Sequence, residues 1–152
     1  MLFLYIIRPK SVSLRFLFFI ILSSFLCFSC SNSVQDQLEH LNGYWEIESV
    51  TNAQNVTKSF TISQTIDYIE VDGEKGFRKK LQPDLYGNYK TTNSIENIEV
   101  NIDNDVLELH YSTAFSSWRE TVIRATATQL IVANENHIQY TYKRYTPINI
   151  DD

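Results

Sequence analysis

The stretch Gly43-Tyr44-Trp45-Glu46-Ile47, GYWEI in one-letter code, decides how the chain is read, because the apolar period changes there. Upstream, Val34, Leu38 and Leu41 fall at i, i+4 and i+7, one face of a helix, and Ser33 stands where an N-cap belongs. From Gly43 onward apolar residues alternate with polar ones, the period of a strand with one wet face. Ile98, Val100 and Ile102 alternate with Asn97, Glu99, Asn101 and Asp103. After the turn Asp103-Asn104-Asp105, Leu107, Leu109 and Tyr111 alternate with Glu108 and His110, which predicts a hairpin.

The same reading extends both ways. Val56, Phe60 and Ile62 alternate with Thr57, Ser59, Thr61 and Ser63. Ile69 and Val71 run into the turn dipeptide Asp72-Gly73. Phe77 and Leu81 predict a strand ended by Pro83, and Tyr86 to Thr92 predicts another. Trp118 to Thr126 is rich in β-formers, Leu130 and Val132 precede the turn Asn134-Glu135-Asn136, and Ile138, Tyr140 and Tyr142 complete the set. Eight to ten short strands with no helix after residue 42 predict an all-β domain, an antiparallel meander in the form of a sandwich or an up-and-down barrel.

The last strand, Tyr140-Thr141-Tyr142-Lys143-Arg144-Tyr145, favours the barrel. Arg144 shares its parity with Ile138, Tyr140 and Tyr142, so alternation points its guanidinium inward. A buried Arg needs a partner, and the face of Trp45 suits it if the last strand closes on the first. The helix would then cover that end. This arrangement resembles the lipocalin and fatty-acid-binding-protein superfamily, whose members open the first strand with G-x-W and lay a late Arg over the Trp. The resemblance rests on Gly43, Trp45 and Arg144, covers Gly43 to Tyr145, and implies a single up-and-down β-barrel with Trp45 and Arg144 as a structural closing pair. It also implies non-covalent binding of a small hydrophobic or amphipathic ligand. The inward residues expected to line it are Tyr68, Leu109, Tyr111, Val132 and Tyr140. The alternative is an ordinary core Trp with Arg144 reaching solvent beside Lys143. The family's T-D-Y element has no counterpart here, since Thr65-Ile66-Asp67-Tyr68 is early and interrupted. The domain is also short for a lipocalin, which leaves open a barrel filled by its own side chains, acting as a structural or protein-interaction module.

Residues 1–29 are different in kind. They hold Arg8, Lys10 and Arg15, no Asp or Glu, and an apolar run from Phe16 to Phe28 that is short of a bilayer span. That is the layout of an export signal. Cys27 and Cys30, the only 2 cysteines, are spaced C-x-x-C, but no βαβ pattern supports a redox pair. The 3 scattered histidines supply no zinc set. Leu26-Cys27-Phe28-Ser29-Cys30 resembles the lipobox of bacterial lipoproteins, which implies acylation of Cys30 and a membrane-anchored protein of the cell envelope. An ordinary cleaved signal and an uncleaved anchor are the other two readings. The expected organisation is a signal over 1–29, a tether and short helix over 30–42, the barrel over 43–145 and a polar tail over 146–152.

Losing the three basic residues of the signal leaves 10 Lys+Arg of the 13 against 18 Asp+Glu, a formal charge of −8. Nucleic acid is a poor partner for such a chain. No catalytic constellation is visible, so no enzyme, cofactor or metal is expected. His40, His110 and His137 are far apart, and Glu46 and Glu48 point away from Trp45. There is no H-E-x-x-H, G-x-S-x-G or phosphate-cradling loop. The run Lys75-Gly76-Phe77-Arg78-Lys79-Lys80 reads as a solvated hairpin, or as a patch for anionic headgroups near a tether.

Overall fold

A computed structural model describes residues 33–84, 86 and 88–146. The signal segment, Cys30 and the end of the tail lie outside the described residues. The helix α1 covers Val34–Leu41 and starts with a capping box. Asp36 N donates to Ser33 Oγ at 3.1 Å, and Ser33 N donates to Asp36 Oδ2 at 3.2 Å. Leu41 is buried, Val34 and Leu38 pack on the core, and the helix lies against the barrel end.

Nine strands follow: β1 Gly43–Thr51, β2 Thr57–Ser59, β3 Ile66–Asp72, β4 Lys75–Pro83, β5 Tyr89–Asp103, β6 Val106–Ser112, β7 Ser117–Ala125, β8 Gln129–Asn134 and β9 Gln139–Arg144. All ladders are antiparallel and join sequence neighbours, except that β1 pairs with β3 and β9 as well as with β2. β9 closes on β1, with Trp45 opposite Arg144, Ile47 opposite Tyr142 and Val50 opposite Tyr140. The result is a closed barrel of β1 and β3 to β9, with β2 as an appendage on β1. Closure leaves no long edge open to pairing.

Inward faces follow alternation, corrected by bulges. Glu48 is extra in β1 and Ile123 is extra in β7, so Val50 and Ala125 return to the interior after each irregularity. Trp45, Leu107, Leu109, Leu130, Val132 and Ala125 are all buried and form the solid half of the core, at the helix end.

Two expected strands differ. The alternation of Val56, Phe60 and Ile62 has no core to face: only Thr57–Ser59 pairs, all three exposed, and Val56 and Ile62 are 64% and 83% exposed. The turn at Asn52–Asn55, held by Asn52 Oδ1 accepting from Gln54 N and Val56 N, folds this segment back on β1 alone. The segment expected as a separate strand from Tyr86 to Thr92 instead begins at Tyr89 and belongs to the long β5. Lys79 faces Ile95 while Leu81 faces Thr91, so β5 absorbs two extra residues as a bulge and continues.

Candidate functional site

The helix end shows how the barrel is sealed. α1 has no left-handed glycine cap; Asn42 is extended, at φ −63 and ψ 136. Its last carbonyls are met by side chains from the first and last strands. Trp45 Nε1 donates to Leu41 O at 2.8 Å, Arg144 Nη2 to His40 O at 3.0 Å and Arg144 Nη1 to Asn42 O at 2.8 Å. Arg144 Nε donates to Ala127 O in the β7–β8 turn at 3.0 Å. The guanidinium carbon stands 3.6 Å from the centre of the Trp45 ring system, so cation, indole and helix C-terminus stabilise one another. Asn42 extends the β1–β3 ladder by bonding both Val71 N and Val71 O. Gly43 is required here: its φ is +125, and a Cβ would collide with Arg144 Nη1.

The other half of the interior is charged. Asp67, Arg78 and Glu120 are 5%, 8% and 6% exposed, from β3, β4 and β7. Arg78 bonds Glu96 through Nε at 2.5 Å and Glu120 through Nη1 at 3.3 Å. Its guanidinium lies 4.3 Å from the Tyr111 ring centre, and Tyr111 stacks on Trp118 at 5.2 Å and 9°. Lys80 Nζ reaches Asp67 Oδ1 at 2.7 Å.

Burial opposes the Arg78 charge, but the fields of Tyr111, Glu120, Tyr142 and Asp67 outweigh it and keep the guanidinium protonated. Burial raises Glu120 above the ordinary glutamate range; Arg78 and the Tyr111 hydroxyl pull it back, while Asp67 and Glu96 push it further up. Burial likewise raises the Tyr111 and Tyr142 phenols, which stay neutral.

Above this layer a cavity of about 310 Å³ opens at the mouth, walled by Arg78, Lys80, Trp118, Glu120, Tyr140 and Tyr142. A second space of about 190 Å³ shares Lys80, Tyr140 and Tyr142 and reaches Trp45 and Asp67 where β1 and β3 diverge. Among the described residues no group of three or more His, Cys, Asp or Glu could hold a metal.

Of the five residues expected to line a ligand, only Tyr140 borders these spaces. Leu109, Tyr111 and Val132 do point inward but are 0%, 2% and 2% exposed, packed in the core. Tyr68 is a correction. It is opposite in parity to the buried Ile69 and Val71 and lies on the outer face, 4.8 Å from Tyr44 and 6.0 Å from Phe77, with its hydroxyl donating to Glu70. The basic run is also corrected. Arg78 is interior and Lys80 faces Asp67, while Lys79 lies over the Phe77 ring at 4.9 Å outside, so the run forms no single patch.

The interior charges Asp67, Arg78 and Glu120 carried a signal. The turn after Asp72 pairs Asp72 with Lys75 and therefore Ile69 with Arg78, and Glu120 alternates in step with Trp118 and Val122.

The fold is thus a closed antiparallel β-barrel, plugged by a helix at one end and hollow at the other. The lipocalin-like domain family matches residues 41–132, more than half of the chain, and the protein belongs to that family. None of the curated proteins matches it by sequence. Among solved structures it is similar to a lipocalin-like protein from Bacteroides uniformis ATCC 8492, at 8% identity and TM-score 0.44, covering 70% of this chain and 99% of that one. An uncharacterized protein from Bacteroides eggerthii DSM 20697 is similar at 8% and 0.44, covering 69% and 99%. Apocrustacyanin C1 is similar at 10% and 0.45, covering 78% and 70%.

Proposed function

We propose that this protein is a lipid-anchored lipoprotein of the bacterial cell envelope, on the outer membrane, whose barrel holds a small amphipathic molecule non-covalently. The anchor is acylated Cys30, supported by the basic, apolar and small-residue order of residues 1–30. Two or more acyl chains, at about 0.8 kcal/mol per buried methylene, would hold it firmly. The observation that carries the binding reading is the mouth cavity of about 310 Å³, at the lower end of the size range of small-molecule sites. Membership of the lipocalin-like family supports it, since such barrels typically bind small ligands rather than catalyse. Tyr140, Tyr142 and Trp118 provide the apolar wall, and Trp45 with Arg144 is the structural plug. Native mass spectrometry of the protein purified from its own membranes tests this: a stoichiometric small molecule is expected, and a bare protein rejects carriage.

A second reading has its own observation. Large apolar residues stand exposed on four mouth loops: Phe115 at 98%, Ile62 at 83%, Tyr86 at 82% and Val56 at 64%. Such tips suit a protein-interaction role at the rim. Changing Phe115, Ile62 and Tyr86 to Ser should then abolish co-purification of a partner while leaving any bound small molecule in place.

A further inference from the structure

The floor of the mouth cavity has a chemistry unlike that expected for an aliphatic ligand. Arg78, Lys80 and Glu120 border it, joined by the exposed Arg119 and Glu135, while Glu96 and Asp67 are the partners of Arg78 and Lys80. Beneath them Leu107, Leu109, Leu130 and Val132 are 1%, 0%, 2% and 2% exposed, and the adjoining space of about 190 Å³ that reaches Trp45, Ile47 and Val50 is itself bordered by Asp67 and Lys80. Burying such charges is costly, and a well-packed apolar layer there would commonly be as stable or more so. The position of Arg78, Lys80 and Glu120 on the cavity wall, with Asp67 on the adjoining space, makes these recognition groups.

We infer that the cavity takes a small zwitterion, a molecule with one ammonium and one carboxylate such as a free amino acid or short peptide. This rests on the carrier reading above and gives its ligand class. The cavity wall carries Arg78, Lys80 and Arg119 against Glu120 and Glu135, so both signs border it and an ion of one sign meets groups of its own sign as well as partners. A simple cation would compete with Arg78 and Lys80 for the same carboxylates. A zwitterion matches both signs. Lys80, 52% exposed in its side chain, bonds one carboxylate oxygen with a group that has three donors, and Arg78 is engaged through Nε and Nη1, leaving Nη2 for a ligand carboxylate. Asp67 is bonded through Oδ1, which leaves Oδ2 to accept from an ammonium. Trp118, Tyr140 and Tyr142 then pack a flat or apolar side chain.

The test is calorimetric titration of the full-length protein with glycyl-L-phenylalanine, its N-acetyl form, its C-terminal amide, and laurate. The dipeptide should bind at least about tenfold more tightly than either blocked form, as loss of a charge-assisted hydrogen bond implies, and laurate should not bind. In Lys80→Met the dipeptide and the N-acetyl form should weaken while the amide does not, a split that a general loss of structure would not produce. Equal or tighter binding of a blocked form overturns the inference. Laurate binding without dipeptide binding also overturns it but leaves carriage standing. If none of the four binds and the native protein is bare by mass spectrometry, carriage fails and the inference with it.

Discussion

The guanidinium of Arg144 lies over the ring of Trp45, 3.6 Å from its centre, across the ladder that closes the barrel. The same two residues donate to three consecutive carbonyls at the end of α1. One contact therefore joins first strand, last strand and helix.

Trp45→Ala should cost about 3 to 5 kcal/mol, the range for deleting a large core aromatic, with a melting temperature lowered by roughly 10 °C or more. Arg144→Met should cost about 2 to 4 kcal/mol through lost stacking and lost carbonyl partners. Arg144→Lys should recover less than half of that loss, because an ammonium has no planar fork to span three carbonyls. An unchanged melting curve for Trp45→Ala would place the indole outside the core.

Gly43→Ala tests the same junction from the backbone. A left-handed φ and the collision with Arg144 should together cost about 1 to 3 kcal/mol. In an Arg144→Met background the penalty should shrink, since the collision is gone and only the φ strain persists. A double-mutant cycle in urea should show coupling above about 0.5 kcal/mol. Strict additivity would separate the glycine from the arginine.

The charged layer makes a sharper prediction. Arg78→Met leaves Glu120 buried without its cation and should cost about 3 to 5 kcal/mol. Adding Glu120→Gln should restore part of that stability rather than lose more. Denaturant melts of the two variants at neutral pH decide it; a double variant weaker than Arg78→Met would refute the pairing.

Glu120 also sets a pH dependence. Its carboxyl is raised in the folded state, chiefly by burial, so the fold binds that proton more tightly than the unfolded chain does. The resulting stability is present at low pH and is lost as pH rises from the ordinary glutamate value of 4.5 through the raised one. Glu108, lowered mainly by its hydrogen bond with His110, acts the opposite way and loses its contribution as pH falls. Subtracting the Glu120→Gln profile from that of the native sequence isolates the first effect. The native protein should lose stability relative to the variant with rising pH over that window.

Cys30→Ala tests the anchor. Without an acylated cysteine the protein should move from the membrane pellet to the soluble fraction on cell fractionation. Persistence in the pellet would reject the tether.

Some of the site could be read from alternation and some could not. Arg144 was legible because it shares parity with the Tyr140 and Tyr142 of its own strand. Arg78 was masked by its neighbours, since a run with three other cations and Phe77 reads as a wet face with one apolar residue turned in. The structure reverses that: Phe77 is outside and Arg78 within, because the turn at Gly73, with φ +61, fixes β4 against β3. Tyr68 was misplaced for a related reason: an aromatic in a strand looks like core, but here it joins the outer row with Tyr44 and Phe77.

By itself the sequence determined the period of most elements, the capped helix, the antiparallel meander and the pair that seals it, all set by spacing between near neighbours or by a residue type that needs a partner. Only the tertiary structure decided which half of the barrel is solid and which is charged and hollow. That depends on bulges in β1, β5 and β7 and on salt bridges between strands far apart in the chain, such as Arg78 with Glu120. A bulge of one extra residue, as in β1 and β7, shifts every later side chain to the opposite face, and no local pattern announces it.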